Sequence, residues 1–173
     1  INEGGGVATA QTWHAIDSDY VVGRTNINVG VSAGLTIEPG VTIQFAGGSG
    51  FYIGNSGYLT ADASGGSVIV FTGTTAMNGH WMGLQFYNTN SALNILDNVT
   101  VEYTGYQTWS YASQPSAVSL AYNGSPCQVT ITGSTFQHGL GVGIDIDSTV
   151  SYNLDIATVN TFDDLSGADV VVN

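Results

Sequence analysis

A chain of 173 residues, 43 % apolar and only 8 % charged, is long enough for one domain with a buried core and lacks the charge-rich composition of disorder. Its 13 Asp and Glu stand against a single Arg and no Lys, a formal charge of −12 that makes phosphate backbones and anionic membranes poor partners. The surface must then be built largely from Gly, Ser, Thr, Asn and Tyr.

Taken in chain order, the N-terminal region offers the one place for a short helical cap, Thr12 to Ile16, since no stretch of ten residues carries a 3.6-residue apolar period. Strand-like segments follow at Tyr20-Val21-Val22 and Ile27-Asn28-Val29, then at Leu35-Thr36-Ile37, Val41 to Phe45, Phe51-Tyr52-Ile53, Tyr58 to Ala61 and Val68 to Phe71. Further along lie Gly83 to Phe86, Leu93-Asn94-Ile95, Val99 to Tyr103, Ala117 to Leu120, Val129-Thr130-Ile131, Ser134-Thr135-Phe136, Gly143 to Ile146, Asp155-Ile156, Asn160 to Phe162 and Ala168 to Asn173. Each is short and alternates inside and outside. Turn formers punctuate the gaps, as at Pro39-Gly40, Asn55-Ser56-Gly57, Gly65-Gly66, Asn123-Gly124 and Leu165-Ser166-Gly167.

Five segments end in an aromatic, Phe45, Phe71, Tyr103, Phe136 and Phe162, at spacings of 26, 32, 33 and 26 residues. A recurrence of that length holding about three short strands is the arithmetic of a solenoid, each repeat being one turn stacked on the last. An antiparallel sandwich gives no reason for a Val/Thr/aromatic ending to return at near-constant spacing. The fold expected is all-β: a right-handed parallel β-helix of about six coils with roughly three strands each, about 30 Å long at a strand spacing of about 4.8 Å. The five aromatics are expected on one line. A single domain spans residues 1–173, with 1–30 as the N-terminal segment and first coil and 106–123 as a loop insertion carrying Trp109 and Tyr111.

The stretch Leu35-Thr36-Ile37-Glu38-Pro39-Gly40-Val41, then Leu59-Thr60-Ala61, then Ile69-Val70-Phe71-Thr72, then Gly79-His80-Trp81-Met82-Gly83, resembles the parallel β-helix repeat proteins of bacterial and archaeal surfaces. The likeness covers about 40 % of the chain. It implies the same fold and a place on the cell surface. The near-absence of Lys and Arg, the Gly/Thr/Asn/Tyr surface and the lone Cys127 also resemble proteinaceous envelopes such as the sheaths and surface layers of archaea.

Some parallel β-helices cut acidic polysaccharides, a chemistry that needs particular residues. Pectate-lyase-like members use a basic residue beside Ca²⁺-bound uronate; Lys is absent here and Arg24 lies early in the chain. Inverting hydrolysis needs two carboxyls about 6.5–9.5 Å apart. Asp145 and Asp147 alternate with inward Ile144 and Ile146 and are expected to face outward about 7 Å apart, with His138 just before them. No basic residue stands ready to hold an acidic substrate, so the expected reading is a solvated acidic face and no enzyme. The same pair is a weak Ca²⁺ candidate, which Asp163 and Asp164 could join one coil later. No other cofactor is expected. His14, His80 and His138 lack metal-ligand spacing, and His80 and Trp81 are expected to shape a turn. Thr130 and Thr132 form one T-x-T, against the repeated ranks of ice-binding solenoids. Asn98-Val99-Thr100 is a glycosylation sequon.

The sequence starts at Ile1 without an initiator Met, and shows neither an 18-residue apolar run nor a leader; a mature exported chain is expected, with no membrane insertion. Cys127 is either a buried small hydrophobe or a disulfide link between chains. Val170, Val171 and Val172 form an uncovered strand edge, expected to pair head to tail with Tyr20-Val21-Val22 or Ile27-Asn28-Val29 of another copy. The function expected is an extracellular structural protein, a subunit of a sheath, surface layer or filament. The alternative is a glycan-binding or adhesin module using Tyr106, Trp109 and Tyr111.

Overall fold

The computed structural model describes residues 6–23, 29–54 and 56–173; Arg24 and the Ile27-Asn28 portion of one expected strand lie outside the described residues. Every regular element among those described is a strand. The first coil holds β1 (Gln11–Trp13), β2 (Tyr20–Val22) and β3 (Val29–Val31), the second β4 (Gly34–Ile37), β5 (Thr42–Phe45) and β6 (Phe51–Gly54). The third holds β7 (Tyr58–Asp62), β8 (Ile69–Gly73) and β9 (Leu84–Tyr87), the fourth β10 (Asn90–Asp97), β11 (Val99–Glu102) and β12 (Ser116–Ala121). The fifth holds β13 (Gln128–Thr132), β14 (Thr135–Gly139) and β15 (Val142–Ile146), the sixth β16 (Ser151–Tyr152), β17 (Thr161–Leu165) and β18 (Val170–Val172). Strands three apart pair side by side, giving three six-stranded sheets that begin at β1, β2 and β3. All these pairings are parallel, and the fold is a parallel β-helix of six coils.

Stacking puts equivalent residues in ranks. Inside the third sheet run Val31, Ile53, Phe86, Leu120, Ile146 and Val172. Inside the first run Trp13, Ile37, Ala61, Leu96 and Ile131. Between the two ends these side chains are fully buried. Each such Val, Leu, Ile or Phe contributes about 1.5–3 kcal/mol against the entropy of ordering the chain. Corners between the first and second sheets use a left-handed residue: Gly40 (φ 85°), Asn98 (φ 52°) and Gly133 (φ 57°). Asn and Gly adopt that region at least cost.

Three expectations need correction. The proposed cap at Thr12 to Ile16 contains part of strand β1 instead, because Trp13 drops into the bore opposite Ile37 while Gln11 and Thr12 pair along β4. The five aromatics do not form one line. The inward rank of the second sheet is Tyr20, Ile43, Phe71, Val101, Phe136 and Phe162. Phe45 sits two residues along, opposite Gly73, and stacks on Trp81 with centroids 4.0 Å apart. Tyr103 is turned by a left-handed backbone (φ 64°) and stacks instead on His138 at 5.4 Å. The insertion is also shorter than 106–123: the chain has returned to the sheet as β12 by Ser116.

Candidate functional site

The segment between β11 and β12 leaves the second sheet and crosses the outer face of the third. It starts at Gly105 (φ 96°), where any Cβ would lie within 1.6 Å of the Leu140 carbonyl oxygen, so only glycine makes the crossing. Trp109 then fills a slot over Gly50, whose missing side chain admits the indole: a Cβ there would stand 2.3 Å from Trp109 Cζ2. Trp109 is therefore buried, at 5 % exposure, and is not an open platform. Gln85 Nε2 donates to the Ser110 carbonyl at 2.7 Å, and Tyr111 stacks on Tyr87 at 4.8 Å. Tyr87 in turn lies 5.7 Å from Tyr52. Of the three aromatics expected at a glycan site, Tyr106 and Tyr111 are exposed and Trp109 is not.

The loop's far end is pinned by Asp145. Its carboxylate accepts from the Ser113 backbone N–H at 2.8 Å, the Ser113 hydroxyl at 2.6 Å and Asn173 Nδ2 at 2.8 Å. At 3 % exposure it is no part of a solvated acidic face, because the loop covers it. Asp147 Oδ1 accepts from the N–H and hydroxyl of Thr149 in its own turn. Both carboxylates hold backbone in place. Asp163 and Asp164 do not join them, since they lie on β17 in the second sheet.

The histidines are separate. His14 Nδ1 meets Glu38 at 2.9 Å, His80 Nε2 meets Thr74 Oγ1 at 3.0 Å and His138 Nδ1 meets Asp164 at 2.8 Å. Hydrogen bonding to His14 holds the Glu38 carboxyl below its ordinary range, and that to His138 does the same for Asp164. No group of three His, Cys, Asp or Glu capable of holding a metal occurs among the described residues. Trp81 belongs to the core rather than to a turn, and its Nε1 donates to the Glu102 carbonyl at 2.8 Å. Cys127 is buried in the core and desolvation pushes its thiol up to about 11, so a disulfide between folded chains has no accessible thiolate to form it. Asn98 Nδ2 donates to Ala63 O at 2.8 Å and Gly66 O at 3.4 Å, bonds that glycosylation would disrupt.

Two features escaped the sequence pattern. The outer rank of the first sheet runs Thr12, Thr36, Thr60, Ile95 and Thr130, a near-complete threonine column hidden by unequal coil lengths. Its neighbouring column carries Asp62 and Asp97, charges that a repeated hydroxyl face lacks. The second feature is a pair of depressions flanking the crossing loop, each of about 320 Å³. One is lined by Gly30, Tyr52, Gln85, Trp109 and Ser110, the other by Tyr111, Ala112, Ser113, Asp145, Asp147 and Asn173.

The end strands also have defined places. Val170–Val172 form β18, the last strand of the third sheet, and Tyr20–Val22 form β2, the first of the second. The third sheet's own first strand, β3, carries a further backbone bridge from Val7. In a coaxial stack β18 therefore approaches the Val7 side of β3, and it meets β2 only if the neighbouring rod is turned by one sheet position.

Fold and surface together define a β-helical scaffold with a strapped third sheet. Comparison with protein-family models, with curated protein sequences and with solved structures gives no match.

Proposed function

We propose that this chain is an extracellular structural protein, a subunit of a sheath, surface layer or filament in which β-helices stack end on end through their terminal coils. One observation carries this reading. Along a single rank of the third sheet, Val31, covered by the backbone bridge from Val7, is 1 % exposed, while Val172 in the sixth coil is 50 % exposed. Asn173 N–H donates inward to Ile146 O and Asp169 O accepts inward from Ile144, so by the alternation of a parallel ladder the N–H groups of Val170 and Val172 point out along the rod. An apolar rung with unused donors is completed best by another strand, and a second copy offers the same three-sheet cross-section. The acidic, Lys-free surface fits a protein that works outside cells, and Asp145 and Asp147, committed to loop and turn, are assigned no catalytic step.

Electron microscopy and sedimentation of the chain and of Val172→Pro test this. Proline removes the outward donor and leaves the inward bonds of Asn173 in place. Concentration-dependent rods for the parent and dispersed, folded monomers for the variant are expected. A parent that stays monomeric, or a variant that assembles as well, overturns the proposal. A second reading, glycan recognition, is favoured by the depression beside Trp109.

A further inference from the structure

We propose that the depression between β3, β6, β9 and the crossing loop binds a neutral sugar ring. This gives the glycan reading a different site from the exposed tyrosines and rests on that reading alone; the end contact plays no part in it.

The floor is the outward rank Gly30, Tyr52 and Gln85, three rungs of the third sheet. Trp109 and Ser110 of the loop close one side, and the volume is about 320 Å³. That lies at the small end of ligand pockets, which run from about 300 to 1,000 Å³, and suits a single ring. The opening is made at one position. A Cβ built on Gly30 meets nothing within 4 Å among the described residues, so glycine here leaves space that their packing does not require.

The polar groups point to the ligand. Gln85 is 1 % exposed, and its Nε2 is occupied by the Ser110 carbonyl at 2.7 Å and approaches Ser119 Oγ at 3.5 Å. Among the described residues nothing donates to its Oε1. Trp109 Nε1, on the wall of the depression, is buried with no partner among the described residues, a donor that is costly until an acceptor such as a ligand hydroxyl oxygen reaches it, and Gln85 Oε1 can accept from the same ligand. The Tyr52 hydroxyl likewise has no partner among the described residues, and burial and the neighbouring phenols push its pKa up, keeping it a neutral donor. Among the described residues no charged side chain lines the depression. A pyranose presents C–H groups on its faces and hydroxyls at its rim, which matches an aromatic wall with an unpartnered N–H, an open acceptor and, among the described residues, an uncharged lining. The formal charge of −12 disfavours uronates and sulfated sugars.

Saturation-transfer NMR on the whole chain, with methyl glycosides of glucose, galactose, mannose and N-acetylglucosamine against glucuronate, tests the site. At least one neutral glycoside should bind and glucuronate should not. Gln85→Met should weaken that binding about ten-fold through the lost acceptor and the lost Nε2 bond to the Ser110 carbonyl. Gly30→Leu, which fills the opening, should abolish it, while Val172→Pro should leave it unchanged. Should Gly30→Leu fail to fold, Tyr52→Leu at a partly exposed position supplies the same readout. Absence of binding by every neutral glycoside, equal binding of glucuronate, or binding that survives these floor substitutions overturns the proposal.

Discussion

The two ends of the rod are made from the same kind of strand and are finished differently. At the N-terminal end Trp13 lies across Tyr20 with centroids 5.0 Å apart and 5° between planes, and also packs on Phe51 at 5.9 Å. Trp13, Val22 and Val31 of the first coil, and Val7 that precedes it, are all buried. In the sixth coil Phe162 rests on Phe136 at 5.4 Å. Leu154 and Val172 stand in solvent. Among the described residues the first coil is thus closed by packed aromatics, whereas the sixth leaves apolar side chains in solvent. The difference predicts a stable end and an adhesive one.

Reversing the exposure pattern of one rank gives the largest effect. Val31→Asp places a charge in the sealed end at a cost of several kcal/mol and should unfold the chain or lower its denaturant midpoint severely. Val172→Asp should stay within about 0.5 kcal/mol of the parent when measured on the dilute monomer. Similar losses from the two would abolish the distinction between the ends.

Aromatic truncations give an intermediate effect. Trp13→Ala should cost about 3–5 kcal/mol in chemical denaturation, as expected for a buried aromatic. Phe162→Ala, only partly buried, should cost roughly half as much. A larger loss at Phe162 would mean that the C-terminal end carries more of the monomer's stability than its exposure implies.

The smallest effect concerns the side-chain pairs that fasten each terminal coil to the next, His14 with Glu38 and His138 with Asp164. Both carboxyls titrate below their ordinary values of 4.5 and 3.8 in the folded chain. Their stabilisation is therefore present above those values and is lost as pH falls through the folded ones. Because both acids are open to solvent, the thermal midpoint should drop only slightly over that window. Glu38→Gln and Asp164→Asn should each flatten the slope. A slope unchanged by both substitutions would remove these pairs from the account of either end.

Much of the fold was legible because alternation and turn chemistry are local: most strands and the corner glycines can be read from a few neighbouring residues. The aromatic line was not, since it depends on a two-residue offset at Phe45 and a left-handed turn at Tyr103. Coils of unequal length also concealed the threonine column. The candidate site was less legible still. Gly30, Tyr52 and Gln85 come from three different coils and meet only through register, and the burial of Trp109 follows from Gly50 in the second coil. Asp145 alternates correctly for an outward carboxylate, yet Ser113 reaches it through a loop whose path no spacing rule foretells.

Amide hydrogen exchange along β18 as a function of protein concentration tests the end contact most directly. In dilute solution Val171 and Asn173, bonded towards β15, should exchange slowly, and Val170 and Val172 fast. On concentration the latter pair should become protected while the former changes little. Fast exchange at Val170 and Val172 at every concentration, or protection already complete in the dilute monomer, would contradict a rod whose open rung is filled by another copy.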